Sequence, residues 1–99
     1  MLPKKKQERG WGFKQIFKII FDDKAIEFLE KLDKKNRERI FNKIMSTKED
    51  PFHYFEKLTS MKYYKLRVGD YRVIVDIDKN EIKILVLLIG LRKNIYDKI

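Results

Sequence analysis

Tyr63-Tyr64-Lys65-Leu66-Arg67-Val68-Gly69-Asp70-Tyr71-Arg72-Val73-Ile74-Val75 reads as two strands joined by a two-residue turn. Gly then Asp fits a type II′ turn, with glycine at the first central position. The first strand is expected over Lys62–Val68 and the second over Tyr71–Ile77. Alternation then sorts the side chains. Tyr64, Leu66 and Val68 share the core side with Tyr71, Val73 and Val75. Lys65, Arg67 and Arg72 fall together on the opposite, open side, along with Ile74. Apart from Asp76, the alternation sets no carboxylate among them. Like charges placed together cost stability, and a fold tolerates them where the cluster meets an anion in use.

Upstream of the hairpin, Phe17, Ile19 and Phe21 alternate with Ile16, Lys18 and Ile20, which predicts a first strand. Asp22 or Asp23 ends it and caps the next element. Ala25, Phe28, Leu29 and Leu32 have helical spacing, and so do Arg37, Ile40, Phe41 and Ile44 after a second cap at Asp33. Two helices joined by almost no loop form an antiparallel hairpin whose apolar faces must cover a sheet. Asp50-Pro51 marks a turn, and Phe52, Tyr54, Phe55 and Leu58 are too apolar for a free loop, so this segment is expected to fold over the core edge. Downstream, Asp78–Asn80 makes a turn and Glu81–Ile89 a last strand, apolar on both faces from Ile84 and hence internal and covered on both sides. Gly90 ends it. Leu91, Ile95 and Ile99 line one side of a short C-terminal helix. The result is an α+β fold: a small, largely antiparallel four-stranded sheet, ordered β-α-α-β-β-β, with the helical hairpin on one face.

Ninety-nine residues suit a single domain. Residues 1–12 read as a basic N-terminal extension, expected to be flexible, and 13–99 as the domain. The extension supplies +3 of the formal charge of +9, so a cationic excess remains on the folded part. Such a balance attracts a polyanion. The chain has no cysteine and a single histidine, His53, which excludes disulfides, thiolate chemistry and a His-based metal cluster within one chain. His53 is read as structural or solvent-facing, since it has no second histidine to work with. No apolar run is long enough to span a bilayer, and the expected compartment is the cytoplasm.

Lys65-Leu66-Arg67, Gly69-Asp70-Tyr71-Arg72-Val73-Ile74 and Ile89-Gly90-Leu91-Arg92-Lys93-Asn94-Ile95-Tyr96, with Lys57-Leu58 ahead of them, resemble the motifs of the RelE toxin family, in the RelE/ParE toxin–antitoxin superfamily. The resemblance runs from about Ile16 to Tyr96. It implies the toxin of a type II toxin–antitoxin pair: a ribosome-dependent endoribonuclease that cuts mRNA in the A site, without metal or small-molecule cofactor. In that reaction the 2′-hydroxyl attacks its neighbouring phosphate. Carried over by position, Lys65 matches a candidate general base, Arg72 the arginine on the scissile phosphate, Arg92 a candidate acid or phosphate clamp, and Tyr96 the tyrosine that stacks on the base. Arg67 matches a supporting phosphate contact, and Lys62, Tyr63 and Lys93 are candidate RNA contacts. The implied partners are a RelB-like antitoxin, the ribosome and mRNA, with no membrane. Two positions depart from the pattern: Tyr63 stands where members often carry a second lysine, and Leu91 where some carry histidine. A ParE-like inhibitor of gyrase, or an inert RNA-binding relative, are the alternatives.

Overall fold

The computed structural model describes residues 15–99; the expected extension at 1–12 lies outside the described residues. Among the described residues the order is β1 (Lys18–Phe21), α1 (Asp23–Lys31), α2 (Lys34–Ser46), α3 (Pro51–Tyr54), β2 (Glu56–Lys57), β3 (Tyr64–Val68), β4 (Tyr71–Asp78), β5 (Lys83–Leu91) and α4 (Arg92–Ile95), then one 3₁₀ turn over Tyr96–Lys98. The strands form one sheet in the order β1-β5-β4-β3-β2. Only β1 and β5 run parallel; the other neighbours are antiparallel. The α+β architecture is as expected, but the sheet has five strands and not four. The extra one, β2, pairs just Glu56 with Lys65 and Lys57 with Tyr64. Two residues are too few for an alternating pattern to reveal.

The helical hairpin forms for the expected local reasons. The Asp22 carboxylate accepts from the Lys24 amide at 3.0 Å and opens α1. Asp33 opens α2, accepting from the Asn36 amide at 3.2 Å and from its side chain at 2.9 Å. Those hydrogen bonds, the side-chain one foremost, hold the Asp33 carboxyl below its ordinary pKa. Ala25 and Leu29 of α1, and Ile40 and Ile44 of α2, are buried against Leu66, Val68, Val73, Val75, Ile84, Val86 and Ile89 of the sheet. Phe41 stays half exposed, stacked on Phe21 at 5.8 Å between ring centres. Pro51 and Phe55 tuck the connecting segment onto the core edge, while Phe52, His53 and Tyr54 stay exposed. None of the helices among the described residues is long and apolar enough to cross a membrane.

β5 departs from its expected course twice. It begins at Lys83, because Asp78 folds the turn over Asn80 and Glu81 by accepting both amides at 3.0 Å. It also continues past Gly90 to Leu91. In addition, Ile74 pairs with Leu88 but Val75 pairs with Val86, so Leu87 is an unpaired bulge residue. The bulge resets the alternation, letting Ile84, Val86 and Ile89 all reach the helix-side core. Leu85, Leu87 and Leu88 are left half-buried, so β5 is internal but not covered on both sides as expected. The cover on the second face is local. α4 lies across β4 and β5, and its Ile95 is buried, as is Ile74 of β4. Leu91 and Ile99, expected to pack beside Ile95, remain exposed, since Leu91 belongs to the strand.

Candidate functional site

The hairpin turn sets the geometry. Gly69 has φ +58° and Asp70 has no positive φ, as a type II′ turn requires. The turn fixes Arg67 directly opposite Arg72, and Lys65 opposite Ile74. β2 then places Glu56 opposite Lys65 on the outer side. One face of the sheet therefore carries a row Glu56–Lys65–Ile74–Leu88 beside a row Arg67–Arg72–Gly90.

Gly90 is where α4 meets that face. A Cβ built on Gly90 would lie 2.9 Å from Ile95 Cδ1, so the bare backbone makes room for the isoleucine. The Arg92 amide also donates to the Asp70 carbonyl at 2.8 Å, tying the start of α4 to the hairpin turn. Those two contacts bring Arg92 and Tyr96 back over the hairpin. Glu56, Lys65, Arg67, Arg72, Arg92 and Tyr96 line one pocket of about 320 Å³, at the small end of ligand-site volumes. The four residues expected to carry catalysis, Lys65, Arg72, Arg92 and Tyr96, are thus together, with Arg67 beside them. Lys62, Tyr63 and Lys93 do not line this pocket. Lys62 precedes β3, so strand alternation does not govern it; its ammonium sits 3.8 Å from Asp76 and 5.5 Å from the Tyr63 ring centre. Lys93 lines a neighbouring pocket with Asp70, Leu91 and Arg92.

Two expectations need correction. Arg72 does not lie on an open face: it is only 7% exposed. Its Nη1 donates to the carbonyls of Gly69 at 2.8 Å and Tyr71 at 2.9 Å. Among the described residues no carboxylate is within ion-pair distance of it. A guanidinium has five N–H donors, and the two on Nη1 suffice for the two carbonyls. That leaves the Nε–Nη2 edge, which suits bidentate capture of an oxyanion. Nor is the cluster free of carboxylates. Glu56 Oε1 lies 3.8 Å from Lys65 Nζ, in the same pocket. Sequence alternation could not find Glu56, because it sits in a strand of two residues.

The family described as ParE toxin of type II toxin-antitoxin system, parDE, matches residues 19–96. No curated protein matches the chain. Similar solved structures include a RelBE toxin–antitoxin complex from Mycobacterium tuberculosis (TM-score 0.72, 19% identity, covering 78% of this chain and 92% of that one). The intact RelBE complex of E. coli superposes with a TM-score of 0.64 at 26% identity, covering 76% of this chain and 95% of that one. A YoeB/ParE toxin from Agrobacterium tumefaciens gives a TM-score of 0.64 at 19% identity, covering 76% and 98%. With most of its folded length matched, the chain belongs to the ParE toxin family of type II toxin–antitoxin systems, within the RelE/ParE superfamily.

Proposed function

We propose that this toxin is a ribosome-dependent mRNA endonuclease, acting in the cytoplasm and held in check by a RelB-like antitoxin. The observation that carries the reading is Arg72. A buried charge with no opposite charge is costly, and two carbonyls satisfy only part of its hydrogen-bonding capacity. The cost is offset when a phosphate meets the free edge of the guanidinium. Arg67, fixed opposite Arg72 by the strand register, adds a second cation to the same phosphate.

The remaining roles come from position in the pocket. The Lys65–Glu56 pair stands at one wall, where one member takes the proton from the 2′-hydroxyl as it attacks the adjacent phosphorus. The P–O2′ bond forms as the P–O5′ bond breaks, and water protonates the departing O5′, leaving a 2′,3′-cyclic phosphate and a 5′-hydroxyl. Arg92, brought into the same pocket by α4, stands with the leaving oxygen and the developing negative charge. Fixed cations of this kind contribute about 10²–10³-fold each, and a positioned proton acceptor about 10²–10⁴-fold. Tyr96 is 43% exposed at the rim, where its ring stacks on an unpaired base and holds the chain for in-line attack. The antitoxin partner is supported by the solved complexes of the similar toxins.

The test is cleavage of mRNA on translating ribosomes, with ends mapped at nucleotide resolution. Arg72→Ala should lower cleavage at least a hundredfold. Wild-type protein that leaves translated mRNA intact, or cleavage indifferent to Arg72→Ala, removes the reading. A second reading, inhibition of gyrase, is favoured by the parDE description of the matched family. It requires inhibition of DNA supercoiling that survives loss of Arg72.

A further inference from the structure

A second basic groove lies outside the candidate active site. β2 pairs only with Tyr64 and Lys65, so the rest of the β3 edge is free of strand partners among the described residues. α2 runs beside that free edge. Arg39, Asn42, Lys43 and Ser46 of α2 face Arg67 and Gly69 across a groove of about 430 Å³. Among the described residues no carboxylate lines it. The one acid on α2, Glu38, is 4.0 Å from Lys34 instead. Arg39 is set against the hairpin turn: its guanidinium lies where a Cβ on Gly69 would meet it at 2.7 Å. Lys43 sits over the ring of Tyr54, 5.2 Å from its centre, and that tyrosine is 39% exposed.

Arg67 joins the two regions, because it lines both this groove and the pocket with Arg72. A cationic path therefore leaves the candidate active site at Arg67, turns the free edge of the sheet, and continues along α2 to an exposed tyrosine. Cations spaced along a groove, with an aromatic surface beside them, suit a flexible polynucleotide better than a compact anion. Arginine and lysine on an unpaired strand edge also discourage edge-to-edge pairing, but that need explains Arg67 and not the cations on the neighbouring helix.

We propose that the α2–β3 groove is a second RNA-backbone track, in which Arg39 and Lys43 each contact a phosphate beyond the one at Arg72, with Tyr54 available to stack. The proposal rests on the reading of the pocket as an RNA-cleaving site and extends it to RNA outside the scissile nucleotide. The backbone comes from the messenger itself or from ribosomal RNA, and two binding arms separate these sources.

The test compares the full-length protein with Arg39→Gln/Lys43→Gln. One arm measures affinity for a single-stranded, fully 2′-O-methylated RNA, which cannot be cleaved by 2′-hydroxyl attack, against salt concentration. The other measures co-sedimentation with ribosomes over the same salt range. Each lost contact to a single strand lowers the salt slope by about 0.7, so the double variant should lose about 1.4; between about 50 and 200 mM salt, wild type then loses about sevenfold more affinity than the variant. The change in the oligonucleotide arm assigns the track to messenger, and a change with ribosomes alone assigns it to ribosomal RNA. Asn42→Lys adds a cation at the same place and should raise the slope by about 0.7, whether or not the double variant folds. Unchanged slopes in both arms for folded double variant, or for Asn42→Lys, overturn the proposal. Cleavage by Arg72→Ala is measured alongside. If that variant is inactive while the slopes do not move, the groove falls and the site stands; if it still cleaves while the slopes do move, the site falls and the track stands.

Discussion

Ile95→Ala should silence the site while sparing the fold. Ile95 is 1% exposed and holds α4 against the bare backbone of Gly90, on the face opposite the helical hairpin. It is not part of the hydrophobic cluster that joins the helices to the sheet. Truncating a buried isoleucine to alanine costs about 2–5 kcal/mol. At 1.4 kcal/mol per factor of ten, that lowers the ratio of docked to undocked α4 by about thirty-fold to several thousand-fold. The segment cannot compensate by itself, because a four-residue helix and one 3₁₀ turn are far below the length that is stable alone. What remains is the hydrogen bond from the Arg92 amide to Asp70, with a net value of about 1 kcal/mol. Arg92 and Tyr96 should then leave the pocket together, and cleavage should fall about tenfold or more, by up to the factor lost from docking. Ile84→Ala provides the contrast, since Ile84 is fully buried in the main cluster. At about 4–8 °C per kcal/mol, Ile84→Ala should lower the melting midpoint by about 10 °C or more. Ile95→Ala should move it much less, while the amides of residues 92–98 exchange faster. Wild-type cleavage by Ile95→Ala refutes the coupling of α4 to the site. A melting loss equal to that of Ile84→Ala, with slow exchange at 92–98, refutes the separation of the two cores.

Glu56→Gln should cost little stability, because an exposed ion pair contributes about 0–1 kcal/mol, yet lower cleavage about a hundredfold if the Lys65–Glu56 pair moves the proton; a rate within about twofold of wild type in single-turnover cleavage removes Glu56 from the chemistry. Gly69→Ala forces a side chain into φ +58° and against Arg39, so it should destabilise the hairpin by about 1–2 kcal/mol, seen as a lower urea midpoint; an unchanged midpoint contradicts the strained turn. Asp33 bears on pH. Its carboxyl is held below its ordinary pKa by Asn36, so its stabilisation of α2 is present in full above the unfolded value and is lost as pH falls through the folded one. The gap in urea midpoint between wild type and Asp33→Ala should be constant near neutrality and close on acidification below about pH 4, and a gap that persists there excludes the carboxylate as the cap.

Much of the hairpin was legible because alternation is a local rule. Leu66, Val68, Val73 and Val75 are buried as the pattern required, and Lys65, Arg67 and Arg72 share the other face. The pattern gives a side chain's direction but not what lies over it. Arg72 points the expected way and is nevertheless buried, since its guanidinium folds back on the carbonyls of Gly69 and Tyr71. Ile74 points the same way and is buried too. Glu56 escaped for a different reason: its place is fixed by two residues of pairing, which leave no period to count. β5 defeated the rule itself, because the bulge at Leu87 shifts the alternation by one residue in a run where every residue is apolar. These misses share a physical source in contacts that leave no period along the sequence: a side chain folded onto nearby carbonyls, a two-residue pairing and a one-residue bulge. They also sharpen the functional reading. An exposed arginine on a solvated strand needs no partner, whereas a buried one with three of its five N–H donors unused does. The burial of Arg72, which alternation could not foresee, is therefore a stronger reason to place a phosphate there than the clustering of charge along the hairpin.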